Sequence, residues 1–262
     1  MYATFLSILF ALLSSAAPAS GAPPVLAFPV ACRIGQSCLI QKLFDHDAGP
    51  GRRDYRCGTL TTDGHDGIDI RLRTMADMRA GYAVLASQAG TVLRTRDGEP
   101  DISIARRADF DGKEAGNAIV IDHGGGWETQ YSHLREGSVR VRPGQRVAGG
   151  ETIGLIGLSG NSEFPHLHFA VRYKGVAVDP FVGTVPFAPC RPDAPVSALW
   201  SAAAAHGLAY VPTAAITSGL ASEVPPRAVS DRDPPPALAG GSGALILWVD
   251  AIGVRAGDWQ EF

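Results

Sequence analysis

The chain has no obvious membrane span. Its N-terminal apolar run, Phe5 to Leu13, falls short of the roughly 20 residues that a bilayer crossing needs. Nor does it have any block of Lys or Arg dense enough to track a phosphate backbone. With a formal net charge of only −3, nucleic acid is not an expected partner. Cysteines are few, four in all, and none are spaced C-x-x-C, which argues against a cysteine-rich zinc knot. The first five residues, MYATF, contain no Lys or Arg.

What is present points to export. The short apolar run is followed by Ser14, Ser15, Ala16 and Ala17, and Ala17-Pro18-Ala19 fits a small-x-small cleavage site. Residues 1–19 are therefore expected to be a signal peptide, leaving no membrane segment after cleavage. The alternative is a buried N-terminal helix. In an exported chain four cysteines suggest two disulfides, for which sequence leaves three connectivities open. We expect Cys32 with Cys38 and Cys57 with Cys190. The second bridge would close a long loop, at a stabilisation of roughly 4 kcal/mol in the chain-entropy model.

The 262 residues suffice for one sizeable domain with appendages or for two small ones. From Tyr82 onward, short β-branched runs alternate with glycine: YAVLAS, TVLRT, NAIVIDH, WETQYSHL, then VRVRPGQRVAGGETIGLIG with its paired turn signals. This is the rhythm of antiparallel hairpins, a mainly β class. RLRTMADMRAG breaks it and reads as a helical turn ending at Gly81, and Asp97 to Ala115 reads as a surface loop. SALWSAAAAHGLAY reads as a helix, 223–243 as a Pro/Gly/Ser-rich linker, and ALILWVDAIGVRAGDWQEF as a strand and turn. That strand is expected either to pack back on the main domain or to open a domain of its own.

Of seven histidines, the informative ones are paired with other polar groups. In HLH, strand alternation puts His166 and His168 on one face and Leu167 and Phe169 in the core. In HDGID, Gly64 and Gly67 argue against a helix. Ile68 and Ile70 then face the core, while His65 and Asp69 reach a common point on the other side. Imidazole and carboxylate are good zinc ligands, and three of them leave a fourth position open for chemistry. Spacing alone does not say which histidine is left over. Asp66 is expected to be a solvated turn residue, His46 and His206 surface residues, and His123 a strand-end histidine capping the turn at Gly124.

HDGIDI, TQYSHL and PHLHF, in that order, resemble the three signature segments of the LytM and lysostaphin-like zinc endopeptidases, the M23 metallopeptidases, which cleave peptide bridges in bacterial peptidoglycan. The resemblance covers roughly Gly64 to Pro180, with NAIVIDHG, RPGQRVAGGETIG and Asp179-Pro180. It implies a mainly antiparallel β LytM/lysostaphin-like (duplicated hybrid motif) peptidase domain, placed here at 28–190. A helical then Pro/Gly-rich linker over 191–243 and the start of a β extension over 244–262 follow it. The resemblance makes His65, Asp69 and His168 zinc ligands, His166 a catalytic base or transition-state stabiliser, and His133 its partner. Peptidoglycan stem or cross-link peptides are the implied substrates.

The chain departs from the pattern at Phe164, where the family has Gly before the proline, and at Ala170, where it commonly has an acid. CRIGQSC and FDHDAGPGRRDYRCG resemble a subgroup of exported proteobacterial homologues, which points to a periplasm. Two other readings fit the same residues. One is a non-catalytic cell-wall protein that regulates another hydrolase, against which stands the retention of all five metal and catalytic positions. The other is a zinc peptidase acting on a non-wall peptide.

Overall fold

Alternating apolar residues dictate the architecture seen in the computed structural model, which describes residues 21–106, 109–184, 190, 192–193, 199–225, 238, 241, 243–259 and 261. The expected signal peptide and most of the expected linker lie outside the described residues. The elements are β1 (Cys38–Lys42), β2 (Ile68–Leu72), α1 (Met75–Ala80), β3 (Ala83–Leu85), β4 (Gly90–Arg96), β5 (Asn117–Gly124), β6 (Trp127–Leu134) and β7 (Arg146–Val147). Then come β8 (Thr152–Leu155), β9 (His166–Tyr173), β10 (Val176–Val178), α2 (Ala202–Gly207), β11 (Ala214–Ala221) and β12 (Ile246–Ile252).

One antiparallel sheet runs β1-β2-β9-β6-β5-β4-β7, with β10 also paired to β9. Its core face carries Ile68 and Ile70 from β2, Leu167 and Phe169 from β9, Tyr131 from β6, and Ile119 and Ile121 from β5, all fully buried. The short β3–β8 pair packs Val84 and Ile153 into the same cluster. The mainly antiparallel β class expected from the glycine-punctuated runs is the one observed. α1 forms where expected because Thr74 caps it, its hydroxyl accepting from the Asp77 amide, and Gly81 stops it at φ 88°.

Both expected disulfides are formed. The Cys57–Cys190 bridge joins the segment before β2 to the end of the sheet. The chain after it contributes α2 and a strand pair, β11–β12. β12 matches the expected terminal strand, whereas β11 falls inside the stretch read as helix and linker. AAITSGLA gives only a weak strand signal by itself, and pairing with ILWVDAI supplies the hydrogen bonds. This pair packs back on the sheet. Ile216 is buried, and the Arg73 guanidinium donates to the carbonyls of Gly35, Gln36, Ala215 and Ile216. An apolar cavity of about 290 Å³, lined by Leu39, Ile40, Leu43, Phe181, Leu208 and Tyr210 among others, lies along this junction. None of the described helices is long and apolar enough to cross a membrane.

Candidate metal centre

The face of the sheet opposite the core brings the signature residues together through register. Asp69 of β2 lies directly opposite His168 of β9, and Arg71 lies opposite His166. Directly opposed residues share a face with their Cβ atoms about 4.5–5.5 Å apart. Each pair is therefore in contact range before any loop is considered. His65 arrives from the turn before β2. Its carbonyl accepts from the Asp45 amide at 2.8 Å, and Gly64 donates to Asp45 Oδ2 at 2.9 Å, so the segment leaving β1 anchors the turn. Gly67 is needed for space. A Cβ there would lie 2.5 Å from the Phe169 carbonyl oxygen and 2.9 Å from the His168 ring.

Three donor atoms converge. His65 Nε2 is 3.0 Å from Asp69 Oδ1, His168 Nδ1 is 3.0 Å from the same oxygen, and the two nitrogens are 3.2 Å apart. Ligands at the zinc–nitrogen and zinc–oxygen distances of a tetrahedral shell stand about 3.3 Å from one another, so this triangle has the dimensions of one face of that shell. The other ring nitrogens are already spoken for. His65 Nδ1 donates to the Leu43 carbonyl at 2.7 Å, and His168 Nε2 donates to Asp66 Oδ1 at 3.1 Å. Because carbonyl and carboxylate oxygens accept, each histidine can turn a lone pair toward a cation at the point it shares with Asp69. Among the described residues these three are the one group with metal-ligand spacing.

Charge within the triad is unusual for buried groups. Burial opposes ionisation of Asp69, but the charges of His166 and His65 and hydrogen bonds from His168 and His65 hold its carboxyl well below the usual range. Burial would likewise depress His168, yet hydrogen bonds to Asp66 and Asp69 and their charges push it up to about 9. In the absence of a metal, therefore, a proton occupies His168 and a cation must displace it. Below about pH 9 each ion bound is expected to release about one proton. Affinity should then rise about tenfold per pH unit and level off above pH 9, which calorimetry in buffers of different ionisation enthalpy measures.

His166 and His133 flank the triangle. His166 donates from Nδ1 to the Phe164 carbonyl at 2.8 Å, and its Nε2 lies 3.5 Å from Asp69 Oδ1. His133 donates from Nδ1 to the Ser159 carbonyl at 2.8 Å, and its ring centroid is 4.6 Å from that of His166. Burial pushes His166 down to about 4, although Asp69 opposes the shift, and pushes His133 well below its ordinary value. Both rings are thus neutral near pH 7. His133 reaches this face against simple alternation, which would send it with Tyr131 to the core. The register between β5 and β6 shifts beside it, and its φ is 61°, so a bulge and a left-handed residue re-aim the side chain.

The structure corrects several expectations. Asp66 is not merely a solvated turn residue. Although its side chain is 44% exposed, it accepts from His168 and, at 2.7 Å, from Arg172 Nη2. Arg172 Nη1 is in turn held by Gln130 Oε1 at 2.9 Å. The hydrogen bond to His168 lowers the Asp66 carboxyl to about 2. Carboxylates that orient ligand histidines are worth 10–100-fold in metal affinity. Asp66→Asn is expected to weaken metal binding by about that factor, as read by competition with a chromogenic chelator.

His46 is not a surface residue but lies against buried Asp179, its Nε2 2.7 Å from Oδ2. His123 does not cap the turn at Gly124. Asp122 does so, while His123 bridges the Ala89 carbonyl and Thr129. His206 is exposed, as expected. Phe164 is buried with its ring centroid 4.6 Å from that of His166, so it forms a wall of the site and does not protrude into it. Sequence reasoning also missed Lys42, whose Nζ lies 4.0 Å from Asp69 Oδ2. A carboxylate next to a candidate ligand histidine hinted at Asp66, but nothing local links Lys42 to a residue 27 positions later.

Residues 63–180 match the model of Peptidase family M23. Peptidoglycan DD-endopeptidase ShyA of Vibrio cholerae is 33% identical over 128 residues, which is 49% of this chain and 25% of ShyA. DD-carboxypeptidase/endopeptidase Mpg of Neisseria meningitidis is 40% identical over 79 residues, 29% of this chain and 18% of Mpg. Cell division protein DipM of Caulobacter vibrioides is 35% identical over 99 residues, 38% of this chain and 15% of DipM. The chain thus spans a quarter or less of these curated relatives.

Proposed function

We propose that this chain, whose residues 63–180 are a Peptidase family M23 domain, is an exported zinc endopeptidase that hydrolyses peptide bonds in peptidoglycan cross-links. The observation that carries the reading is the convergence of His65, Asp69 and His168 on one point, with two neutral histidines beside it. The donor set of two imidazoles and one carboxylate suits zinc. The relatives named for peptidoglycan DD-endopeptidase activity supply the substrate class.

His65, Asp69 and His168 would hold a zinc ion, which would supply a Lewis acid and lower the pKa of water to about 7. The chain's own residues do the rest. Asp69, fixed by β2–β9 register, and His65, fixed by the Leu43 carbonyl, set the position of the attack. His166 keeps its Nδ1 proton on the Phe164 carbonyl and so presents a basic Nε2. That nitrogen takes a proton from the attacking water and returns it to the leaving amine. The imidazolium formed in between is stabilised by Asp69, 3.5 Å away. His133 presents its own Nε2 beside His166. Whichever ring carries the proton offers an N–H to the oxygen on which negative charge develops.

Export is supported by the signal-like first 19 residues and by two disulfides, which persist in oxidising compartments such as the periplasm. Mass spectrometry of products from defined cross-linked muropeptide dimers tests the whole reading. Hydrolysis of one amide, sensitive to chelation and restored by zinc, is the expected result. Failure of folded, zinc-loaded protein to cut any dimer would overturn it.

A further inference from the structure

Beside the triad stands a cationic wall that neither metal holding nor proton transfer uses. Lys42 reaches it because β1 is irregular. Ile40 lies opposite Ile70 and Lys42 opposite Asp69, which leaves Gln41 as an extra residue. Lys42 therefore shares the face of Asp69. Its Nζ lies 5.7 Å from the Phe164 ring centroid, and the Arg71 guanidinium lies 4.4 Å from the same ring. Arg71 and Phe164 are buried, and Arg71 Nη1 is engaged by Gln41 Oε1 at 2.7 Å. Of the three, Lys42 alone keeps a surface toward solvent, its side chain being 28% exposed.

Lys42 is not locked as the counter-ion of Asp69. A charge-assisted N–H···O bond is about 2.7–2.9 Å long, and here the separation is 4.0 Å. The other carboxylate oxygen, Oδ1, serves the two histidines. Asp66 is already paired with Arg172, so with a divalent cation in the triad Asp69 alone would face that ion, Lys42 and Arg71, and the pocket would keep a positive excess for an anion to meet. An amide bond has no charge to offer it, whereas a carboxylate beside the bond does. The position also selects a side. Lys42 and His166 flank the same carboxylate, Lys42 Nζ 4.0 Å from Asp69 Oδ2 and His166 Nε2 3.5 Å from Oδ1, and because His166 is the ring that protonates the leaving amine, Lys42 stands on the amine side of the bond.

We propose, on the peptidase reading above, that Lys42 is a specificity-determining residue. It binds the free carboxylate of the residue that supplies the leaving amine, as at the diamino acid of a D,D cross-link. Substrates in which that carboxylate is amidated, or in which glycine continues the bridge, are disfavoured.

Two synthetic cross-linked peptides, identical except for a carboxylate or a carboxamide at that carbon, provide the test. The wild-type chain is expected to prefer the carboxylate by about tenfold or more in kcat/KM, chiefly through KM, as suits a hydrogen bond between charged groups at a partly exposed site. In Lys42→Gln the ratio falls toward one, in Lys42→Arg it is kept, and all three proteins hold the same zinc content. Equal cleavage of both peptides by the wild type, or a ratio unchanged in Lys42→Gln, overturns the proposal. So does a parallel loss of zinc and of both activities in Lys42→Gln, which would make Lys42 a structural partner of Asp69. Failure of the wild type to cut either peptide would instead overturn the peptidase reading on which the proposal rests.

Discussion

Asp69→Asn is expected to abolish zinc retention and cleavage together. Asparagine has almost the same volume, and the neighbours Ile68 and Ile70 that hold β2 in the core are untouched, so the sheet should survive. What disappears is the one carboxylate within the triad and the charge that keeps His168 protonated in the metal-free site. Changing an outer partner of a metal ligand costs about 10–100-fold in affinity or activity. Losing a ligand should exceed that, with activity falling by more than about 10³-fold and zinc falling to well under one equivalent after dialysis. Elemental analysis and a turnover assay on the same preparation check both, with circular dichroism reporting the fold.

His166→Ala is expected to separate the two properties that Asp69→Asn loses together. His166 lies 3.5 Å from Asp69 but outside the triangle of donor atoms, so zinc should remain near one equivalent. A positioned general base contributes about 10²–10⁴-fold, and kcat should fall within that range with little change in KM. If His166 served only to tie β9 to the Phe164 carbonyl, the variant would lose stability and keep its kcat. His133→Ala should follow the same pattern with a smaller loss, because His133 acts beside His166.

Legibility in the sequence tracked how local the cause was. HLH declared its geometry outright, since strand alternation alone separates His166 and His168 from Leu167 and Phe169, and the structure buries the latter two completely. HDGID did nearly as well, because two glycines and two isoleucines bracket the turn. Spacing did not rank the histidines, and only the resemblance to a known family assigned roles. His133 was hidden from periodicity by its bulge and positive φ, features that YSHL does not announce.

Long-range partnerships were the hardest to see. His46 looked like a surface residue because Asp179 is 133 positions away. Asp66 looked solvated because the ring it orients belongs to a strand 102 residues later. β11 was missed because AAITSGLA depends on β12 for its strand character. The disulfides were met as expected, although four cysteines alone allowed three pairings.

On the proposed function, His65, Asp69 and His168 close on one zinc ion, and hydrolysis depends on it. The most direct measurement is elemental analysis of purified protein before chelation, after it, and after titration back with zinc, with cleavage of a defined muropeptide dimer followed on each sample. The expected result is one equivalent of zinc, with activity lost when it is removed and regained in proportion to its return. Full cleavage by protein that holds no metal would contradict it.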